Sequence, residues 1–74
     1  MSNLEKEKFV KKLGRNINLL RSGKNMSQTD LAKNLGKPKQ NIQRIESGKI
    51  MPSVYYVKQI ADVLNVSVDQ LLNF

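Results

Sequence analysis

The chain has 74 residues and a net charge of +7, from 13 Lys/Arg against 6 Asp/Glu, and it contains neither cysteine nor histidine. A chain of this length forms one domain around one small core. The lack of cysteine excludes a disulfide framework and a thiolate zinc site. The lack of histidine removes the commonest general base and the commonest metal ligand.

Neither a membrane span nor a secretory signal is expected. No apolar run approaches the roughly 18–20 residues that cross a bilayer. The first eight residues, MSNLEKEK, lack the apolar centre of a signal peptide. A cysteine-free chain also agrees with a reducing compartment, so we expect a cytoplasmic protein without a membrane partner.

The positive charge is concentrated in the first two thirds of the chain. Residues 1–26 carry seven Lys/Arg and two acidic residues, and residues 27–51 carry five Lys/Arg and two acidic residues. Residues 52–74 carry one Lys and two acidic residues. A basic surface is typical of proteins that bind a polyanion, most often nucleic acid. Many small proteins are equally basic without such a partner, so charge alone leaves both interpretations open.

Periodic apolar residues predict a first helix over residues 3–22. The apolar side chains recur every three or four positions, at Phe9, Leu13, Ile17 and Leu20. Ser2 and Glu5 have the spacing of a capping box at its start. Gly14 lowers helix propensity by about 1 kcal/mol relative to Ala. Its presence inside the helix is consistent with a close approach to a neighbouring element.

Two short helices follow, joined by a turn that contains glycine. Ser27 and Asp30 are spaced to cap the second helix from both directions, and Gly36 is expected to end it in a left-handed conformation. Pro38 suits the start of the third helix, which ends near residues 47–48. This arrangement of two helices and a short turn is the helix-turn-helix pattern.

Two further helices complete the prediction. Ser53 is a suitable N-cap for the fourth helix, and Asn65 a suitable end. Ser67 and Gln70 have capping-box spacing and open a short fifth helix. No segment alternates apolar and polar residues long enough to form a strand. The expected fold is all-α with five helices, in which residues 1–8 extend helix 1 and residues 9–74 form the domain.

The outer face of helix 3 carries only long hydrogen-bond donors. Lys39 lies four residues before Gln43, and Gln40 lies four residues before Arg44, so each pair shares a side of the helix. No acidic residue lies on this face. Such a face is either the solvated back of an ordinary helix or a row of side chains that contact the edges of DNA bases.

Residues 27–48 resemble the helix-turn-helix domain of the phage repressor and Cro (XRE) family. They read Ser27-Gln28-x-x-Leu31-Ala32-x-x-Leu35-Gly36, then five residues, then Ile42-x-x-Ile45-Glu46-x-Gly48. The similarity continues through Leu13-Gly14, Arg21, Pro52-Ser53, Ile60-Ala61, Leu64 and Val66-Ser67. It covers about residues 13–72 and implies a lambda-repressor-like domain that binds double-stranded DNA.

The resemblance implies that helix 3 lies in the major groove. It assigns base contacts to Lys39, Gln40 and Arg44, with Gln43 as a fourth. Side-chain chemistry allows Lys39 or Arg44 to bind guanine, and Gln40 or Gln43 to bind adenine. Each bidentate contact contributes about 1–3 kcal/mol of discrimination between bases.

The resemblance also implies contacts to the DNA backbone. Gln28 is expected to contact a phosphate at the start of helix 2, where free backbone N–H groups assist. The remaining expected phosphate contacts are Lys37, Asn41, Ser47, Lys49 and Ser53. For Lys37 and Lys49, simple solvation is nearly as good an explanation. Pro38 departs from the family, because many relatives carry Ser or Thr there and proline supplies no capping hydroxyl.

In relatives an arginine at the end of helix 1 pairs with a glutamate at the end of helix 3. By this resemblance Arg21 and Glu46 form a structural ion pair that fixes the angle of helix 3. We expect a homodimer on a near-palindromic operator, with half-sites about one helical turn apart. The candidate dimer residues share an apolar C-terminal segment: Val66, Val68, Leu71, Leu72 and Phe74. The alternative is that they all belong to the core.

The resulting prediction is a sequence-specific transcriptional regulator, with repression as the expected mode. The alternative is an antitoxin-type protein or a restriction-modification controller that uses the same domain. No cofactor, metal ion or small-molecule ligand is expected. No enzymatic activity is expected either, because the acidic residues are assigned as helix caps, ion pair or solvated face: Asp30, Glu46, Asp62 and Asp69.

Overall fold

The computed structural model describes residues 3–74, which fold into five α-helices without a strand in that range. The helices are α1 (Asn3–Gly23), α2 (Gln28–Leu35), α3 (Lys39–Glu46), α4 (Val54–Leu64) and α5 (Val68–Leu72). The all-α, five-helix expectation is therefore confirmed. The capping box predicted from Ser2 lies outside the described residues. Within the described range, each helix is too short or too polar to cross a membrane.

Local side chains set the helix ends, as their spacing predicted. Ser27 Oγ accepts from the Asp30 N–H at 3.0 Å, and Asp30 Oδ2 accepts from the Ser27 N–H at 3.0 Å. Ser67 and Gln70 form the same reciprocal pair at 3.1 and 2.9 Å. Gly36 ends α2 with a φ of 65°, in the left-handed region. Each such cap contributes about 1 kcal/mol.

The start of α3 has no such side-chain cap. Pro38 occupies the N-cap position with φ −64° and ψ 144°, and it makes no side-chain hydrogen bond. Its carbonyl oxygen accepts from the Asn41 N–H at 3.0 Å. Because an isolated helix of this length is unstable in water, α3 depends on its packing and on its neighbours.

A single hydrophobic core joins all five helices. Its fully buried large side chains are Leu13, Ile17, Leu31, Ile42, Ile45, Ile60, Leu64 and Leu71. The two isoleucines of α3 fill its inner side, so its outer side faces solvent. Asn16 Nδ2 donates to the carbonyl oxygens of Gln70 and Leu71 at 2.9 and 2.8 Å, which ties α5 to α1.

Gly14 marks a backbone-to-backbone contact between α1 and the end of α3. A Cβ atom at this position would lie 2.8 Å from the Glu46 carbonyl oxygen and would also meet the Ile45 carbonyl oxygen. Only glycine allows the two main chains to approach this closely. The close approach expected from the sequence is confirmed.

Replacement of Gly14 by Ala is expected to destabilise the protein. Ala gains up to about 1 kcal/mol of helix propensity, but its Cβ must displace the main chain of α3, and such overpacking costs about 1–3 kcal/mol. Gly23→Ala is the matched control on the same helix, because a Cβ there meets nothing within 4 Å. Urea denaturation should show a lower midpoint for Gly14→Ala only; equal midpoints for the two variants would contradict this account.

Candidate nucleic-acid interface

The exposed side of α3 forms part of a concave polar surface. Gln40, Gln43 and Arg44 line an open depression of about 420 Å³. Gln28 at the start of α2 lines it as well, together with Ser47 and Lys49, which follow α3 in the chain. Six of the ten residues predicted to contact DNA therefore share one surface. We refer to these six residues as the α3 surface.

The other four predicted contacts lie outside the lining of the α3 surface. Lys39 is exposed in the first turn of α3. The remaining three, Lys37, Asn41 and Ser53, all adjoin Tyr56 of α4. Lys37 Nζ lies 5.6 Å from the centroid of the Tyr56 ring, and Ser53 Oγ accepts from the Tyr56 N–H at 3.1 Å.

Tyr56 also belongs to this region, although it is not among the residues predicted to contact DNA. Its side chain packs against the core, whereas the neighbouring Tyr55 is 69% exposed. Burial raises the pKa of Tyr56, and the nearby Asn41 side chain offsets this in part. No spacing rule connects Tyr56 with the turn before α3.

The side chains at the end of α3 are already engaged within the chain. Gln28 Nε2 donates to Glu46 Oε1 at 3.0 Å. Since a primary amide has two N–H donors and one carbonyl acceptor, Gln28 retains one donor and its acceptor for a ligand. Ser47 Oγ donates to the Arg44 carbonyl oxygen at 3.3 Å. Gln28 thus belongs both to the interior network and to the α3 surface.

Glu46 is the centre of a buried hydrogen-bond network. Its side chain is 4% exposed and accepts from Arg21 Nε at 2.7 Å and from Arg21 Nη2 at 2.9 Å. Asn18 Nδ2 donates to the same carboxylate at 2.9 Å, and Gln28 adds a further donor. Arg21 Nη1 donates to the Met26 carbonyl oxygen at 2.6 Å. The network joins α1, α2 and α3 at one point.

Asn18 could have been found from the sequence. It precedes Arg21 by three residues on a helix, so both side chains project from the same side of α1. The resemblance named Arg21 alone. The structure adds Asn18 and Gln28, which satisfy the carboxylate oxygen that Arg21 shares with them.

The network keeps Glu46 ionised. Burial is the largest single influence and would raise the pKa of Glu46, but the hydrogen bonds from Arg21, Gln28 and Asn18 and the charge of Arg21 together hold it below its usual value. The hydrogen bond to Glu46 is the main reason that the pKa of Arg21 is raised. Both partners are therefore charged at neutral pH.

The candidate dimer residues fall into different environments. Leu71 is 0% exposed and belongs to the core of the single chain, so it is not available to a second copy. Val66 and Val68 are partly buried against the same core. Leu72 and Phe74 are 42% and 46% exposed. The Phe74 ring packs edge-on against Phe9, with 5.4 Å between the ring centroids.

The lowered pKa of Glu46 predicts an acid-dependent loss of stability. A carboxyl whose folded pKa lies below its unfolded value of 4.5 stabilises the fold fully above that pH. That stability is lost as the pH falls through the folded pKa. Glu46→Gln removes this titration and leaves Arg21 buried without its anion, which costs about 3 kcal/mol at neutral pH.

Chemical denaturation at a series of pH values tests the role of Glu46. The stability of Glu46→Gln should be low at neutral pH and should change less than that of the wild type below pH 4.5. Asp62→Asn is the matched control, because Asp62 forms an exposed ion pair with Lys58 at 3.1 Å. Exposed pairs contribute about 0–1 kcal/mol. Parallel pH profiles for the wild type and Glu46→Gln would refute the assignment.

The sequence matches a known family and two relatives. The family model HTH_3, helix-turn-helix, matches residues 17–71. YazB, an uncharacterized HTH-type transcriptional regulator of Bacillus subtilis (strain 168), is 40% identical over 58 residues, 78% of this chain and 84% of YazB. The ImmF control region 10 kDa protein of Bacillus phage phi105 is 36% identical over 61 residues, 82% of this chain and 68% of that protein.

Solved structures share the fold. The restriction-modification controller protein C.AhdI from Aeromonas hydrophila has a TM-score of 0.81 at 26% identity, over 84% of this chain and 94% of its own. The hypothetical transcription factor NHTF from Neisseria has a TM-score of 0.82 at 26% identity, over 86% of this chain and 74% of its own. An HTH_3 family transcriptional regulator from Vibrio cholerae reaches 0.85 at 22% identity, over 92% of this chain and 38% of its own.

The family match, the relatives and the fold agree with the resemblance found in the sequence. HTH_3 proteins are DNA-binding transcriptional regulators and are not a class of enzyme. The helix-turn-helix formed by α2 and α3 lies within the matched residues 17–71. The chain belongs to the HTH_3 family of helix-turn-helix transcriptional regulators, of the Cro and phage-repressor type.

Proposed function

We propose that this regulator is a sequence-specific repressor that binds a near-palindromic operator as a homodimer, with α3 of each copy in the major groove. The observation that carries the proposal is the α3 surface. Its lining residues are hydrogen-bond donors or amides without an acidic member. Such side chains match the acceptor-rich guanine edge and the mixed adenine edge of the major groove.

The proposed base contacts are Lys39, Gln40, Gln43 and Arg44. All four are exposed, because the isoleucines of α3 point into the core. The four side chains extend from a helix whose far end is fixed by the Glu46 network. Because the helix is already held in place, it loses little conformational entropy when it binds, which favours specific binding.

The proposed phosphate contacts are the six residues predicted from the sequence: Gln28, Lys37, Asn41, Ser47, Lys49 and Ser53. Gln28 retains one amide N–H for a phosphate. Ser53 caps α4, and the N–H groups of Val54 and Tyr55 in its first turn have no intrahelical partner. A phosphate at this helix start would accept from them.

Repression requires only that the bound protein occupies a promoter. The similarity to a phage control protein supports this mode of action. A second candidate is a controller of restriction-modification genes, because C.AhdI matches over 94% of its own chain. The genes beside the coding sequence distinguish the two: a restriction enzyme and a methyltransferase nearby support the controller.

Selection of duplexes from a random pool tests the base contacts. The wild type should enrich a near-palindromic motif, and Arg44→Ala should enrich an altered one, because a lost bidentate contact removes about 1–3 kcal/mol of discrimination. Lys49→Ala is the control, since loss of a phosphate contact weakens binding to all sequences alike. It should also make the slope of log affinity against log salt shallower by about 1. No enriched motif, or the same motif for Arg44→Ala, would refute the assignment.

Leu72 and Phe74 are the proposed dimer contacts, because they are the exposed members of the C-terminal apolar segment. Leu72→Asp should retain the wild-type affinity for a half-site duplex and lose the added affinity for the full operator. Sedimentation should show a shift towards monomer. Leu4→Asp is the control, since Leu4 is equally apolar and 60% exposed on α1. If both variants bind the full operator as the wild type does, Leu72 is not a dimer contact.

A further inference from the structure

The N-terminal part of α1 carries much of the positive charge and lies outside the family match. The match begins at residue 17, whereas α1 begins at Asn3. The intervening residues include five basic side chains: Lys6, Lys8, Lys11, Lys12 and Arg15. Neither the helix-turn-helix pattern nor the proposed contacts give these residues a role.

These basic residues divide between two sides of α1. Lys8 and Lys12 line a depression beside the Phe9 and Phe74 rings. Lys6 lies on the other side, in an open groove of about 330 Å³ between α1 and the loop that follows α3. Lys11 belongs with Lys6, because it packs directly over Gly48 of that loop, where an added Cβ would lie 2.6 Å from Lys11 Cγ.

Lys49 connects this groove with the α3 surface. It lines both the groove beside Lys6 and the depression beside Arg44. The two concavities are therefore neighbours on one continuous surface. Gly48 makes this possible, because its φ of 75° turns the chain away from α3 and its lack of a side chain allows α1 to pass closely.

The charge in the groove favours an anion. Lys6 and Lys49 contribute two ammonium groups to its lining, against the single carboxylate of Glu7. The lining of the groove therefore carries more positive than negative charge. Asn3 adds an amide to the same groove.

We infer that this groove binds the DNA backbone just outside the base-contacting half-site, with Lys6 as a phosphate-contacting residue beside Lys49. The inference rests on the proposed function, since the α3 surface must first set the protein on DNA. A backbone strand that leaves the α3 surface past Lys49 continues into the groove. The N-terminal turns of α1 thereby extend the length of DNA that the protein contacts. They leave its preference for base sequence unchanged.

Two duplexes and two variants test this inference. One duplex ends at the edges of the selected motif, and the other carries about one additional helical turn on each side, a length comparable with one half-site spacing. Lys6→Gln removes the charge from the groove and keeps the length of the side chain. Lys12→Gln is the matched control, with the same change on the opposite side of the same helix. Thermal melting checks that both variants fold.

Salt dependence provides the measurement. On the long duplex, Lys6→Gln should make the slope of log affinity against log salt shallower by about 1. Between 50 and 200 mM salt, the affinity of Lys6→Gln should therefore decrease by a factor about 3.5 times smaller than that of the wild type. On the short duplex it should behave as the wild type. Its selected motif should be unchanged, and Lys12→Gln should match the wild type on both duplexes.

Two results would overturn the inference while the proposed function stands. In the first, Lys6→Gln and Lys12→Gln have the same slope on the long duplex. In the second, Lys6→Gln weakens the short and long duplexes equally, which places Lys6 within the core site. If the wild type itself prefers no duplex sequence, both the proposed function and this inference fail.

Discussion

The buried carboxylate of Glu46 is the interaction on which the arrangement of the DNA-binding helices depends. α3 has eight residues and begins without a side-chain cap, so its own hydrogen bonds do not hold it in place. Arg21, Asn18 and Gln28 bind the carboxylate from α1 and α2, and Gly14 lets α1 touch the same end of α3. Because a buried charge is costly without its partners, the network tolerates few other orientations of α3.

Gln28 links this interior network to the surface that faces DNA in our proposal. Its amide donates to Glu46 and also lines the depression beside Gln40 and Arg44. A phosphate bound by Gln28 would therefore lie one side chain away from the ion pair. In our proposal, the same group of atoms therefore sets the position of the DNA backbone and the orientation of α3.

The chain just before the opposite end of α3 contacts α4. Pro38 gives no capping hydroxyl, and Tyr56 instead lies beneath Lys37 and beside Asn41. The tyrosine ring and the ammonium attract one another electrostatically, and the attraction is worth about 0.5–1 kcal/mol at exposed sites. The departure from the family at Pro38 thus coincides with packing from a different helix. The turn between α2 and α3 therefore contacts α4 through Lys37 and Tyr56.

The sequence by itself determined the five helices, the caps of α2, α4 and α5, and the donor-only outer face of α3, because each depends on residues within one or two turns of each other. Ser27 with Asp30 and the left-handed Gly36 are of this kind. The resemblance added Arg21 with Glu46. Only the tertiary structure decided that Leu71 is core while Leu72 is exposed, that Tyr56 lies beneath Lys37, and that Lys6 lies beside Lys49. These contacts join separate helices, and their geometry follows from how the helices pack, which no local spacing encodes.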